Sequence, residues 1–327
     1  MHRRHFIALL GGAIALPCAA AAQQKAMPER SAEPPRAGIL IGSRNENFDA
    51  LTEGLRQAGY IDGQNLLIEA RFYGTSLRAV DEFASELIAL KSTVIFASNP
   101  YAIRAVMKAT NTIPVVGVDL EDDPVTSGWA QSLARPGGNL TGFFLDIPEL
   151  GGKLIELARE AVPTASNLAV LWDTAIGATQ FHATELGARA AGVTLSPLPV
   201  RRAEEISEAL DSAVSQGAHA LVVLSSPLIF QQRSQIVDFA RQKRLPTVSL
   251  FTSFPRIGGL VAYGPNVASM HMRAANYIHR VLSGTKPNDL PIERPSRFEL
   301  VINLKTAEAL GLTIPPSILD LADEVIE

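Results

Sequence analysis

The chain has 327 residues, 47% of them hydrophobic, which suits about two domains with well-filled cores. Its net charge of −4 falls to about −6 if Arg3 and Arg4 are removed with an N-terminal leader, a balance that disfavours nucleic acid, which needs clustered positive charge. The single cysteine, Cys18, lies in that leader, so the remainder has no disulfide, thiol nucleophile or Cys-based metal site.

The leader itself has a basic start (His2, Arg3, Arg4), an apolar run over 6–16 and a small-residue tail, Ala19 to Ala22, ending at Gln23. That order reads as a secretory signal peptide over 1–22. The apolar run is too short to cross a bilayer permanently, which takes ~20 residues. The mature protein is therefore expected to start at Gln23 and to work in the periplasm. Arg3-Arg4-His5-Phe6-Ile7 leaves the export route open between Sec and twin-arginine. Pro17 stands where a lipobox has a small, flexible residue, so Cys18 is read as lost with the signal. Residues 23–36 are polar and Pro-rich and read as a flexible leader. No later segment is apolar for long enough to be transmembrane.

From residue 37 short apolar runs alternate with helical patterns. A strand is expected over 37–42, then a helix carrying Phe48, Leu51, Leu55 and Ala58 on one face and stopped at Gly59. A strand over 66–72, a helix around Val80–Ile88 spacing, a strand over 93–97, a helix over 100–109 and a strand over 114–118 follow. The rhythm restarts after Asn139-Leu140-Thr141-Gly142. Leu150, Leu154, Leu157, Ala158 and Ala161 mark a helix, followed by strand 168–172, helix 178–191 and strand 193–200. Ile206, Leu210 and Val214 mark another helix, then strand 220–224, a helix over 229–241 and strand 247–250. The tail holds a strong helix (Met270, Ala274, Tyr277, Ile278, Val281), a strand over 298–302 and a short helix over 306–310. Strands alternating with helices imply parallel sheets covered on both faces. Two successive repeats imply two similar lobes, with the tail adding elements to both.

Several catalytic signatures are missing. Gly151-Gly152-Lys153 lacks the upstream glycine and the hydroxyl residue of a phosphate loop. No G-x-G-x-x-G follows the first strand, and there is no G-x-S-x-G elbow. His271 and His279 lie eight apart on an amphipathic helix and read as a partly exposed face, not a metal pair. No catalytic residue, metal or cofactor is expected.

In parallel α/β sheets ligands sit beyond the carboxyl ends of the strands. Here those ends carry Ser43, Asn47 and Phe48; Ser98, Asn99 and Tyr101; Asp119 and Asp123; Trp172 and Asp173; Ser225 and Ser226; Phe251; and Tyr263. These are the candidate ligand-binding residues. Ser98 or Asn99 is a good N-cap and Pro100 suits the first helical turn, so that helix start offers N–H groups to a carboxylate. Asp119 or Asp123 could pair with an amine. Aromatics are 6% of the chain, yet five of them stand at such ends, where flat side chains can clamp a small organic ligand.

The chain resembles the substrate-binding proteins of ABC transporters with a type I periplasmic-binding fold, in a branch related to aromatic amino acid binders. The resemblance is carried by the signal peptide and by Thr112-Ile113-Pro114-Val115-Val116. It is carried further by the run from Ser132 to Gly142, the run from Gly258 to Asn266, the run from Phe298 to Ala307, and the close from Ala322 to Glu327. It implies two Rossmann-like lobes, 37–145 plus 259–296 and 146–258 plus 297–327, joined by three crossings. The crossings are expected near 142–147, 256–259 and 295–298. It implies capture without catalysis by a monomer and delivery to a membrane permease. Arg44, Asn45, Glu46 and Phe143-Phe144 depart from the usual pattern, so a relative's ligand does not carry over. The expected solute is small, bears a carboxylate and is aromatic or an amino acid. Two other readings stand beside this one. An exported α/β enzyme could use the same cleft. A ligand-sensing regulator would carry a DNA-binding domain where this chain has a signal peptide.

Overall fold

The computed structural model describes residues 33–74, 76–145, 148–176, 178–295 and 297–327. The expected signal peptide over 1–22, Cys18 and most of the leader over 23–36 lie outside the described residues. The first half runs β1 (Arg36–Ile41), α1 (Glu46–Gln57), β2 (Leu67–Phe72), α2 (Leu77–Ala89), β3 (Val94–Ser98), α3 (Pro100–Ala109), β4 (Val115–Asp119) and β5 (Leu140–Phe144). The second runs α4 (Pro148–Ala161), β6 (Asn167–Asp173), α5 (Ala178–Ala191), β7 (Thr194–Val200), α6 (Ile206–Ser215), β8 (Ala220–Val223), α7 (Pro227–Gln231), α8 (Arg233–Gln242), β9 (Thr247–Ser249), α9 (Ser253–Arg256) and β10 (Val261–Pro265). The tail adds α10 (Val267–Leu282), β11 (Ile292–Glu293), β12 (Phe298–Asn303), α11 (Leu304–Leu310), α12 (Pro316–Leu319) and β13 (Glu324–Ile326).

Two sheets result, ordered β11-β5-β4-β3-β1-β2 and β13-β12-β10-β9-β8-β6-β7. All pairings are parallel except β10 with β12. Both sheets have buried central strands; β3, β4, β5, β8 and β9 are buried along their whole length. That is the apolar run a parallel strand needs when helices cover both its faces.

The chain passes between the sheets three times, and helices mark each exchange. After β5 it leaves the first sheet, and α4 packs over β8, β9 and β10 of the second. After β10 it returns, and α10 packs on α1 against β3, β4 and β5. After β11 it goes back to form β12. The second crossing therefore falls at Asn266 and not at 256–259, and residues 261–265 belong to the second sheet instead of the first. β10 is placed there by its pairing with β9 and β12. The α1–α10 contact is close because position 54 is glycine: a Cβ there would lie 2.6 Å from the Met272 carbonyl oxygen.

Two other expectations are corrected. The run after which the rhythm is expected to restart is itself a strand, since β5 begins at Leu140 and carries on through Gly142, where a crossing is expected. Gly142 sits at φ +135°, and a Cβ on it would lie 2.0 Å from Gly117 O on β4, so only glycine lets those strands pair there. The helix expected over 229–241 is two helices. Ser226 caps α7 with Pro227 at its first turn, and the chain turns at Gln232 before α8.

Candidate functional site

The carboxyl ends of β1, β3 and β4 face those of β8 and β9 across a cavity of about 70 Å³. The first lobe contributes Ser43, Asn45, Asn47, Ser98, Asn99, Val118, Leu120 and Glu121. The second contributes Ser226, Pro227, Phe230, Gln231 and Phe251, and the start of α10 adds Val267 and His271. A hollow of about 270 Å³ lies on the other side of Pro227 and Gln231, lined by Tyr73, Tyr101, Arg201 and Arg202 among others. The smaller cavity is the better site. It sits at the strand ends, where a parallel sheet presents its loops, and polar atoms converge on it from both lobes.

The end of β3 is tightly bonded. Asn99 has φ 76°, a region that side chains other than glycine rarely enter. Its Oδ1 accepts from Tyr101 N at 3.2 Å, from Ala102 N at 3.5 Å and from the Tyr73 hydroxyl at 2.7 Å. Ile103 N donates to Asn99 O at 3.1 Å. The N–H groups expected to await a carboxylate at the start of α3 are thus already taken by the cap. The Ser98 hydroxyl is also engaged, 2.9 Å from His271 Nε2. His271 Nδ1 lies 2.9 Å from Val267 O, a carbonyl that can only accept. The proton is therefore assigned to Nδ1, and Nε2 accepts from Ser98. Burial pushes the His271 pKa down to about 4, so the ring is neutral at neutral pH.

The end of β4 is acidic. Asp119 is 1% exposed, and its Oδ1 accepts from Glu121 N at 3.1 Å. Its other oxygen, Oδ2, is buried and receives no hydrogen bond. Glu121 reaches the cavity and accepts from the Ser225 hydroxyl of the other lobe. Burial, and then the charge of Glu121, holds Asp119 well above the usual carboxylate range; burial also raises Glu121.

Further side chains bridge the lobes. The Tyr101 hydroxyl donates to Asp173 Oδ2 at 3.2 Å, Gln231 Nε2 donates to Gly74 O at 2.8 Å, and Arg233 lies 3.6 Å from Glu46. The cavity is thus closed by contacts that separating the lobes would break.

Of the candidate residues, Ser43, Asn47, Ser98, Asn99, Ser226 and Phe251 line the cavity. The others are placed elsewhere. Phe48 is buried edge-on against Phe72, with ring centroids 5.1 Å apart. Tyr101 faces the neighbouring hollow and Asp173 receives its hydroxyl. Asp119 stands behind Glu121, and Ser225 is enclosed against it. Asp123 caps its own turn, accepting from Val125 N and Thr126 N. Trp172 stacks on Phe181 at 4.6 Å, and Tyr263 on Phe298 at 5.7 Å. These aromatics find cover on their own lobe, which removes more apolar surface from water than a cleft rim does.

Glu121, Phe230, Gln231 and His271 line the cavity without having been singled out as candidates. The Ser226-Pro227 pair was a usable signal for Phe230 and Gln231, since a cap followed by proline starts a helix there.

No helix among the described residues is long and apolar enough to cross a membrane, and no three His, Cys, Asp or Glu side chains among them group as a metal site.

Residues 40–326 match the family model described as ABC transporter substrate binding protein. A tyrosine-binding protein of Clostridioides difficile (strain R20291) is 24% identical over 264 residues, covering 80% of this chain and 75% of the relative. Among solved structures, an ABC domain in complex with L-Trp from Streptococcus pneumonia aligns with TM-score 0.82 at 24% identity, covering 90% of this chain and 100% of that one. A conserved domain protein from Vibrio cholerae gives TM-score 0.82 at 22% identity with the same coverages. A ligand-free, open substrate-binding protein with adhesive properties from Clostridium difficile gives 0.63 at 21%, covering 90% and 99%. The fold is that of type I periplasmic-binding proteins, and the chain belongs to the ABC transporter substrate-binding protein family.

Proposed function

We propose that this chain is an exported, monomeric receptor that captures one small organic solute between its lobes and delivers it to the permease of an ABC importer. The observation that carries the reading is the cavity itself. Both lobes wall it, hydrogen bonds from lobe to lobe close it, and the side chains of one chain complete it. Phe230 and Phe251, with centroids 4.9 Å apart, supply an apolar wall from the second lobe. Ile41, Val118 and Leu120 face it from the first. Ser43, Asn47 and Ser226 add neutral hydrogen-bonding groups, which suit the carboxylate of an amino acid or aromatic acid. The named solutes of two relatives, tyrosine and L-Trp, fit that description.

Residues 1–22 serve export in this reading, so protein from the native cell envelope should start at Gln23. The solute leaves as it arrived; an enzyme in the same cleft would instead alter it.

The test is a melting screen of the purified protein against amino acids, aromatic acids and nucleosides. A ligand present at 100 times its Kd stabilises the native state by about 2.7 kcal/mol. An aromatic amino acid or acid should raise the melting temperature and be recovered unchanged. A panel without one shift among these classes would refute the solute class, and a converted ligand would favour the enzyme.

A further inference from the structure

We propose that Asp119 is kept as a neutral acid hydrogen-bonded to Glu121, so that Glu121 is the one fixed negative charge of the cavity and the solute group seated against it is a primary ammonium. The ammonium half deepens the receptor reading and rests on it. The proton assignment concerns the protein alone.

Asp119 and Glu121 are joined at the loop, where Glu121 N donates to Asp119 Oδ1 at 3.1 Å. Two ionised carboxylates on one loop only repel, and a proton on one of them removes that repulsion. Asp119 is the better place for it. It is enclosed, and its Oδ2 has no donor to accept from. A proton turns that stranded acceptor into a donor toward Glu121. Glu121 is the better place for the charge. It lines the cavity and already accepts from Ser225.

The surrounding groups leave this charge unpaired. Asp122, next on the same loop, is held by Arg104 of α3 through bonds of 2.9 and 2.7 Å. Tyr73 and Tyr101 are neutral, raised by burial, and give their hydroxyls to Asn99 and Asp173. Asp173 lies across the cleft, where it accepts the Tyr101 hydroxyl; burial raises its pKa and the charge of Arg201 lowers it in part. His271, on the α10 wall, is neutral. No ion pair to Glu121 or Asp119 is seen among the described residues. A solute with only a carboxylate would add a like charge to a closed cavity. One with an ammonium would neutralise the charge already there.

Two measurements test the proposal. Infrared spectra of the unliganded protein at pH 7 should show the carbonyl stretch of a protonated carboxylic acid, and Asp119→Asn should remove it. Calorimetry should then compare L-tyrosine and L-tryptophan with their deaminated acids on the native protein and both variants. In Asp119→Asn an amide N–H replaces the acid O–H as donor to Glu121, so affinity should stay within roughly threefold. In Glu121→Gln, amine-bearing solutes should lose about 30-fold or more, and the preference over deaminated acids should vanish. A missing band, a band that survives Asp119→Asn, or an equal loss in the two variants would overturn the assignment. If Glu121→Gln fails to fold, the band and Asp119→Asn still decide it. If no member of the panel binds, the solute class fails while the band still decides the proton.

Discussion

β3 and β4 are hydrogen-bonded neighbours in the first sheet, and both end in the cavity, yet their ends have opposite chemistry. At the end of β3, Asn99 bonds the helix start and Tyr73, and Ser98 bonds His271. That end is neutral and spent on its own lobe. At the end of β4, an enclosed acid has an oxygen with no partner beside an acid that opens into the cavity. A well-formed helix cap is thus a poor mark of an anion site, because the residue that makes the helix start recognisable also occupies it. The polar group left short of partners inside the protein says more about the ligand.

The sharpest separation of the two ends is by pH. His271 has a pKa lowered by burial from 6.5 to about 4. The unfolded chain binds this proton first, so the stability His271 contributes is present above pH 6.5 and is lost as pH falls toward 4. The loss should be on the order of 3 kcal/mol. Asp119 has the opposite sign. Its folded pKa is raised above the usual 3.8, so the stability it contributes is present below 3.8 and fades as pH rises through the folded value. Urea unfolding at pH 4 and pH 7 should therefore show a steeper rise with pH in Asp119→Asn than in the native protein, and a flatter one in His271→Gln. Equal slopes in all three would mean that the two ends are not electrostatically different.

Asn99→Ala asks whether the end of β3 is purely structural. The variant loses the cap, strands the Tyr73 hydroxyl and keeps a backbone at φ 76° that alanine tolerates poorly. A loss of about 2–3 kcal/mol in unfolding free energy follows from cap plus orphaned hydroxyl. Affinity per folded molecule should change little. A variant that instead binds aromatic acids more tightly would show that the helix start is an anion site masked by its own cap.

Much of this fold was legible in the chain. Apolar runs and helical spacing place α3 and α5 at the bounds the structure gives, Pro100–Ala109 and Ala178–Ala191, because strong punctuation flanks both. β5 was hidden because Gly142 reads as the start of a crossing, while its real role is a close approach to β4 that only the folded sheet defines. The second crossing was misplaced for a related reason: Gly258-Gly259 looks like a hinge, but β10 continues the second sheet by pairing with β12 from the far end of the chain. The site was half legible. Strand ends locate the loops, but not which side chains turn back into their own lobe, and Phe48, Trp172 and Tyr263 did so. The carboxyl pair was not legible: β4 ends at Asp119 and the chain bends there, Glu121 N donating back to Asp119 Oδ1, so the run Asp119-Leu120-Glu121-Asp122-Asp123 does not say which acid turns into the cavity.

Tyr101 gives the smallest effect and the finest test, because it belongs by sequence to the end of β3 and by contact to the closing of the lobes. Its ring faces the neighbouring hollow, and its hydroxyl meets Asp173 across the cleft at 3.2 Å. Tyr101→Phe keeps the ring and deletes only that bond. Asp173 still accepts from Ala175 N at 2.9 Å through its other oxygen, so the second lobe should be undisturbed. The closed form should lose about 1 kcal/mol, which lowers apparent affinity roughly fivefold when closing is part of binding. The melting temperature of the unliganded protein should move little. Small-angle scattering with saturating solute should show the same compact form in both proteins, reached at higher ligand concentration in the variant. If Tyr101→Phe instead lowers the melting temperature and leaves affinity intact, the hydroxyl holds the resting protein together and plays no part in capture.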